Sequence, residues 1–406
     1  MLYTLTFSTY ILGLVVVPYQ TRVLGTEKYG LIGLASAILA YVQLIIDFGF
    51  LLSATEEVAN NQTNKSKLSE IFTSVTINGL FLSILSSAAL LAACLAIPRW
   101  KENFLFIFLY LISTVLGSMM PNYLYRGIEK MEAITIRTVI IKVFFTAMVF
   151  IFVKGPEDIL LIPVFQIIGN LLALLVTYLH LFAVLGVRFV RCKASDVILR
   201  LKKSCPFFVS RIATTVYSAS NTILLDLISG GAMTAFYTSA DKLVSTAKSG
   251  LSPISDSMYP YMVRNKDFKL VKKILLILEP IIIIGCAVVF IWATPLCTWF
   301  FGEEYAQTAP ALRALLPIVA IILPSYIFGF PVLGAMGLNK YANYSIIVAS
   351  ILHISTLTVL FCLGLMNMVT LCISTSVTEF VVLIYRLTVV IKNRHLLNPD
   401  NQESKI

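Results

Sequence analysis

Four charges on one otherwise apolar stretch are the residues best placed to do chemistry in this chain. Asp241, Lys242, Lys248 and Asp256 stand between Phe236 and Tyr261. As a helix that segment is about 39 Å long, enough to cross a bilayer. At roughly 100° per residue the four charges fall within about 120° of one another. Thr238, Ser245, Ser249, Ser252 and Tyr259 share their stripe, while Phe236, Ala240, Leu243, Ala247, Leu251, Ile254 and Met258 fill the opposite side. Lys248 lies near the middle, where a lysine in a spanning helix costs about 2.5–3.5 kcal/mol. The plain account is an interfacial helix, or a lysine paired with Asp241 seven residues away on the same face. The sharper account is a polar cavity inside a helical membrane protein, in which cations meet an anionic ligand.

Other polar residues sit in similar settings. Arg211, Thr215, Ser218, Thr222 and Asp226 form one stripe on a preceding apolar stretch, and Asp47 shares a helical face with Gln43 and Ser36. Arg211 either faces a cavity or snorkels toward the basic segment before it. Asp47 and Glu379 either pair with a lysine or cap backbone. His180 and His353 are isolated and read as packed, hydrogen-bonded side chains. The seven cysteines form no CxxC pair and have no histidine at metal spacing, so neither a disulfide framework nor a metal site is indicated.

The elements that must position these groups are membrane helices. Of 406 residues, 58% are hydrophobic and only 13% charged, with a mean hydropathy of +0.88; a soluble domain is nearer 25% charged. Apolar stretches of spanning length fall at 2–22, 29–52, 71–97, 104–125, 134–153 and 159–185, and again at 205–229, 233–261, 274–301, 311–335, 343–364 and 366–391. The expected architecture is an all-α polytopic membrane protein of about twelve transmembrane helices. It has an N-terminal lobe (1–185), a basic cytoplasmic linker (186–204), a C-terminal lobe (205–391) and a polar cytoplasmic tail (392–406). The first apolar run starts at Met1 and is followed by Arg22, which suits a first span and not a cleaved signal peptide.

Loop charge sets the orientation. With both ends in the cytoplasm, cytoplasmic loops and the C-terminal end hold 22 of the 31 lysines and arginines, against six on the other side. Arg211, Lys242 and Lys248 are the remaining three. The same bias accounts for most of the net charge of +10, and the scatter of basic residues between apolar runs argues against nucleic acid.

The two groups of six stretches look like copies. Gly127-Ile-Glu-Lys130 recurs as Gly337-Leu-Asn-Lys340, Leu24-Gly25 has a small-residue counterpart in Ser229-Gly230, and Asn61 corresponds to Asn265. Two parallel six-helix repeats imply a central polar cavity at their shared interface. No phosphate-binding GxxxxGK[ST] occurs, and no external loop is long enough for a membrane glycosyltransferase site, so the reading is a transporter and not an enzyme. The basic loop of major-facilitator carriers is missing after the second span, where Thr55-Glu-Glu-Val-Ala-Asn-Asn61 stands.

Arg22-Val-Leu-Gly25, Tyr29-Gly30, Asp47-Phe-Gly49 and Ser53 resemble the opening spans of bacterial lipid-linked oligosaccharide flippases. These belong to the polysaccharide-transport branch of the multidrug/oligosaccharidyl-lipid/polysaccharide exporter superfamily. Tyr125-Arg-Gly127-Ile-Glu-Lys-Met131 with Ile134-Thr-Ile-Arg137 resembles the same family at the loop between spans four and five, and Phe236-Tyr237, Ala240-Asp-Lys242 and Pro260 resemble its eighth span. The resemblance covers nearly the whole chain and implies an undecaprenyl-diphosphate-linked glycan as cargo, for O-antigen or capsule synthesis at the bacterial inner membrane. It needs no cofactor, and its expected partners are membrane lipid, polysaccharide polymerase and chain-length machinery.

On that reading Arg211, Lys242 and Lys248 face the diphosphate, and Ser245 and Ser252 offer hydroxyls to sugar. Asp47, Asp241, Asp256 and Glu379 balance the cations or take a coupling ion. The rivals are a cation- or proton-coupled multidrug antiporter of the same superfamily, which predicts a cavity of carboxylates and aromatics, and a non-transporting scaffold in a polysaccharide-assembly complex.

Overall fold

The computed structural model describes residues 2–397; the side chains of residues 2–12, Ser210, Ala213, Thr214, Tyr217, Ser218, His395 and Leu397 lie outside that description, as does most of the expected tail. The described residues are helical almost throughout. The first half comprises α1 (Leu2–Asp47), α2 (Phe50–Ala59), α3 (Lys65–Ala96), α4 (Pro98–Glu102), α5 (Phe104–Ser118), α6 (Asn122–Gly127), α7 (Met131–Phe152) and α8 (Leu161–Ala183). After α9 (Ala194–Ser229) come α10 (Gly231–Asn265), α11 (Phe268–Ile291), α12 (Ala293–Phe301), α13 (Thr308–Phe328), α14 (Phe330–Ala335), α15 (Asn339–Cys362) and α16 (Met368–Lys392).

Nine helical stretches among the described residues are long and apolar enough to cross a membrane. The first contains a break at Gly25, with φ 71° and ψ 177°, so it holds two spans. The long helices α9 and α10 are more polar than these and stand outside the nine. Counting that division and those two helices makes the twelve spans expected. Side chains such as Ile84, Leu276, Ile284 and Ile291 stand exposed, which suits contact with hydrocarbon and not water.

Chain contacts divide the molecule into two compact units, residues 1–219 and 220–406. In the first unit Phe50, Val58, Ile71, Phe72, Leu124 and Leu181 pack into a common core; in the second, Met258, Met262, Leu323, Ile327 and Leu333 do so. Each unit also contains a six-residue helix before its fifth span, α6 packing on α2 and α14 on α10. A Cβ at Gly127 would overlap Val58 and lie 2.9 Å from the Thr55 carbonyl, and one at Gly334 would sit 2.6 Å from the Tyr259 ring. Glycine permits both close approaches; Gly337, the counterpart of Gly127 in the repeat, has open space around its Cβ position and instead takes a left-handed φ of 75°.

The basic segment between the halves is not loose. The amides of Arg188 and Val190 donate to Ser69 Oγ and Thr73 Oγ1 on α3 at 3.1 and 3.0 Å, and α9 already begins at Ala194.

Candidate functional site

In the first unit the chain turns sharply after Asp47. Phe48 and Gly49 have φ of 36° and 80°, a left-handed region natural for glycine. A Cβ on Gly49 would lie 2.8 Å from Phe207 Cβ and 2.9 Å from the Ser204 carbonyl. The turn is therefore the seat on which the early part of α9 rests. Phe48 stacks on Phe208 with ring centroids 4.3 Å apart, and the hydroxyls of Ser53 and Ser204 meet at 2.6 Å. This docking brings Arg211 on α9 to Asp47 at the end of α1, with Arg211 Nη1 3.7 Å from Asp47 Oδ2.

That separation is an ion pair but too long for a hydrogen bond. The two charges line a cavity of about 200 Å³ with Gln43, Thr76, Asn122 and Tyr123. Arg211 keeps 37% of its side-chain surface accessible. Of the two placements open to it, this arginine takes the cavity.

In the second unit Lys248 Nζ donates to Glu379 Oε1 at 2.7 Å, joining α10 to α16. Glu379 is buried and Lys248 is 26% accessible, so this is a short charge-assisted hydrogen bond in a restricted setting. Asp241, expected to pair with Lys248, instead accepts from Ser245 Oγ at 3.3 Å. The two share a face, but Glu379 from another helix reaches the ammonium. Ser252 and Ser249 donate to the carbonyls of Ser249 and Ser245, so Ser252 spends its proton on the helix and keeps acceptor capacity. Lys242 is half-buried and Asp256 exposed, and neither forms an ion pair among the described residues.

A polar network missed in the sequence lies beside this pair. Asn221 Nδ2 donates to Thr375 Oγ1 at 2.7 Å and to Tyr237 Oη at 3.2 Å. His353, fully buried, has Nε2 3.0 Å from Asn221 Oδ1 and Nδ1 3.2 Å from Thr378 Oγ1. Thr378 directly precedes Glu379. The packed role expected of His353 agrees with this arrangement, as it does for His180, whose Nδ1 lies 2.8 Å from Tyr125 Oη.

Three arginines counted with the loop charges are built into the protein. Arg200 Nε and Nη2 contact the two Glu57 oxygens at 3.1 and 3.0 Å; Nη2 also reaches Glu70 at 3.1 Å and Nη1 reaches Ser74 Oγ at 2.6 Å. Arg386 donates to Ser345 Oγ and the Ser325 carbonyl. Arg137 donates to Asn122 and Thr177. The only signal in the sequence was that Arg137 and Arg386 fall just inside apolar stretches.

Long apolar helices holding charged pairs in two helical units define a polytopic membrane protein. The fold is similar to that of the lipid II flippase MurJ in an inward closed conformation, with a TM-score of 0.71 at 17% identity, covering 96% of this chain and 88% of that one. It is also similar to an inward-facing multidrug resistance MATE transporter of the MOP superfamily, with a TM-score of 0.66 at 14% identity, covering 97% and 94%. The chain belongs to the polysaccharide biosynthesis protein family, which it matches over residues 1–266. It is 28% identical over 355 residues to an O-antigen transporter of Shigella dysenteriae, covering 86% of this chain and 88% of the relative. Against an O-antigen transporter of Escherichia coli K12 the identity is 26% over 363 residues, covering 87% and 88%.

Proposed function

We propose that this protein is a flippase that carries undecaprenyl-diphosphate-linked oligosaccharide repeat units across the bacterial cytoplasmic membrane by alternating access, for O-antigen or capsule synthesis. The observation that carries the reading is Arg211, a cation inside a membrane helix, 37% accessible and lining a polar cavity together with Asp47. A diphosphate bearing sugars cannot enter hydrocarbon, whereas its polyprenyl tail can stay there. An accessible guanidinium offers phosphate the paired N–H donors that suit it. Lys248 is the second cation, released when Glu379 is neutralised or moves. Asp47, Asp241 and Glu379 balance charge while the cavity is empty. The likeness to O-antigen transporters supports the cargo class.

The basic-residue bias supports a cytoplasmic position for both termini, and the delivered repeat unit would pass to polymerase and chain-length machinery on the far side. A multidrug antiporter shares the fold, but its cationic cargo would be repelled by Arg211 and Lys248. The test is surface glycan in a strain lacking its own flippase and supplied with the matching pathway. Wild type restores surface glycan. Arg211→Ala at wild-type abundance does not, and Arg211→Lys restores part of it. Normal glycan from Arg211→Ala overturns the reading. Drug resistance without glycan export would favour the antiporter.

A further inference from the structure

A groove on the outside of the first unit has the composition of a lipid site. It runs between α7 and α8, has a volume of about 360 Å³, and is walled by Ile136, Ile140, Leu172 and Val176. These four side chains are 52–63% accessible, so the groove is open on the surface that meets hydrocarbon. Gly169 and Ala173 keep its floor low. Only one end is polar, where Tyr125, Arg137, Thr177 and His180 gather.

Arg137 is the unusual member of that end. Its Nη1 donates to Thr177 Oγ1 at 3.0 Å and its Nη2 to Asn122 Oδ1. Both acceptors are neutral. Its Nε is buried with no hydrogen-bond partner, and no carboxylate pairs with the guanidinium among the described residues. Tyr125 and His180 satisfy each other at 2.8 Å and add no negative charge. The guanidinium is partly buried with no anion beside it, and an uncompensated charge in a low-dielectric setting is costly. Arg200 and Arg211 in the same unit both have theirs.

We propose that this groove binds one anionic phospholipid of the bilayer, with its phosphate on Arg137 and an acyl chain along Ile136, Ile140, Leu172 and Val176. The phosphate supplies both the missing charge and an acceptor for Nε, and an acyl chain is the apolar body that the walls fit. A free anion would leave the walls uncovered. A glycan-bearing diphosphate would find almost no polar contact beyond this single arginine. The groove is separate from the Asp47–Arg211 cavity, whose lining residue Asn122 accepts from Arg137, and the inference does not depend on what the protein transports.

The test is native mass spectrometry of the purified full-length protein with an equimolar mixture of phosphatidylglycerol and phosphatidylcholine. Wild type retains phosphatidylglycerol in preference. Arg137→Gln and Ile140→Trp, the second filling the groove without touching charge, each retain one phosphatidylglycerol fewer. If Arg137→Gln fails to fold, Ile140→Trp decides. Unchanged phosphatidylglycerol counts in the folded variants overturn the proposal, as does equal retention of the two lipids by wild type. A second arm adds inorganic phosphate alone. A phosphate adduct that Arg137→Gln loses and Ile140→Trp keeps would identify a free-anion site and overturn the lipid assignment.

Discussion

The Lys248 ammonium and the Glu379 carboxylate meet at 2.7 Å and tie α10 to α16 within the second unit. Breaking a fully buried pair from one side costs about 3–5 kcal/mol, and less here because Lys248 keeps 26% of its surface. Lys248→Ala and Glu379→Ala should each lower membrane abundance on immunoblots, and the double variant should recover it. Asp241→Ala removes the Ser245 hydrogen bond, about 1 kcal/mol, and should not rescue Lys248→Ala. Recovery with Asp241 instead of Glu379 would make Asp241 the true partner.

The Asp47–Arg211 pair should behave oppositely. Partly exposed and 3.7 Å apart, the pair contributes about 0–1 kcal/mol, so Asp47→Asn and Arg211→Ala should both reach the membrane at near wild-type levels. Export should separate them, with Arg211→Ala inactive and Asp47→Asn retaining activity. Equal loss of abundance in both would mark the pair as structural.

Arg200 contacts two glutamates and a serine in a geometry only a guanidinium supplies. Arg200→Ala should destabilise the purified protein and lower its unfolding temperature, by less than the about 3–5 kcal/mol of a fully buried pair, because Glu57 and Glu70 keep 24% and 30% of their side-chain surface. Arg200→Lys should recover only part of that loss. Full recovery by lysine would mean that charge alone matters there.

Gly49→Ala should be poorly tolerated. A left-handed residue with a side chain costs roughly 1–2 kcal/mol, and the added Cβ would also press on Phe207 at 2.8 Å. Low abundance with aggregation on size-exclusion chromatography is expected. A monodisperse protein at wild-type yield would contradict the close packing of α9 on the turn.

Topology is checked by reporter fusions. One after Arg191 should report cytoplasm, and one near Glu303 the outside. An external signal at Arg191 would reverse the orientation assigned from the basic loops.

The spans were readable because twenty apolar residues in a row leave few alternatives, and Asp47, Lys248 and Glu379 were noticed because charge inside such runs is expensive. Partner choice was not readable. A helical wheel shows that Asp241 and Lys248 share a face, but not that α16 brings Glu379 closer. Arg137, Arg200 and Arg386 were counted with the loops because a window boundary cannot tell a guanidinium reaching water from one turned into a neighbouring helix. The Asn221–His353 contact spans 132 residues of chain and His353–Thr378 a further 25, and no local spacing encodes that. The glycine motifs were legible as pattern, while their cause, close approach to Phe207 and Val58, needed the fold.

The seat formed by Phe48, Gly49 and Ser53 acts as a datum for measuring along α9. Phe207, pressed against Gly49, is four residues before Arg211, about 6 Å of helix rise. Over so short a lever, bending farther along α9 scarcely moves the guanidinium. The charge is thus indexed to the same turn that ends the helix bearing Asp47, so the two groups share one origin. Residues elsewhere in the unit are then free to drift, and a lineage can retune what the protein accommodates without recalibrating where the positive charge stands.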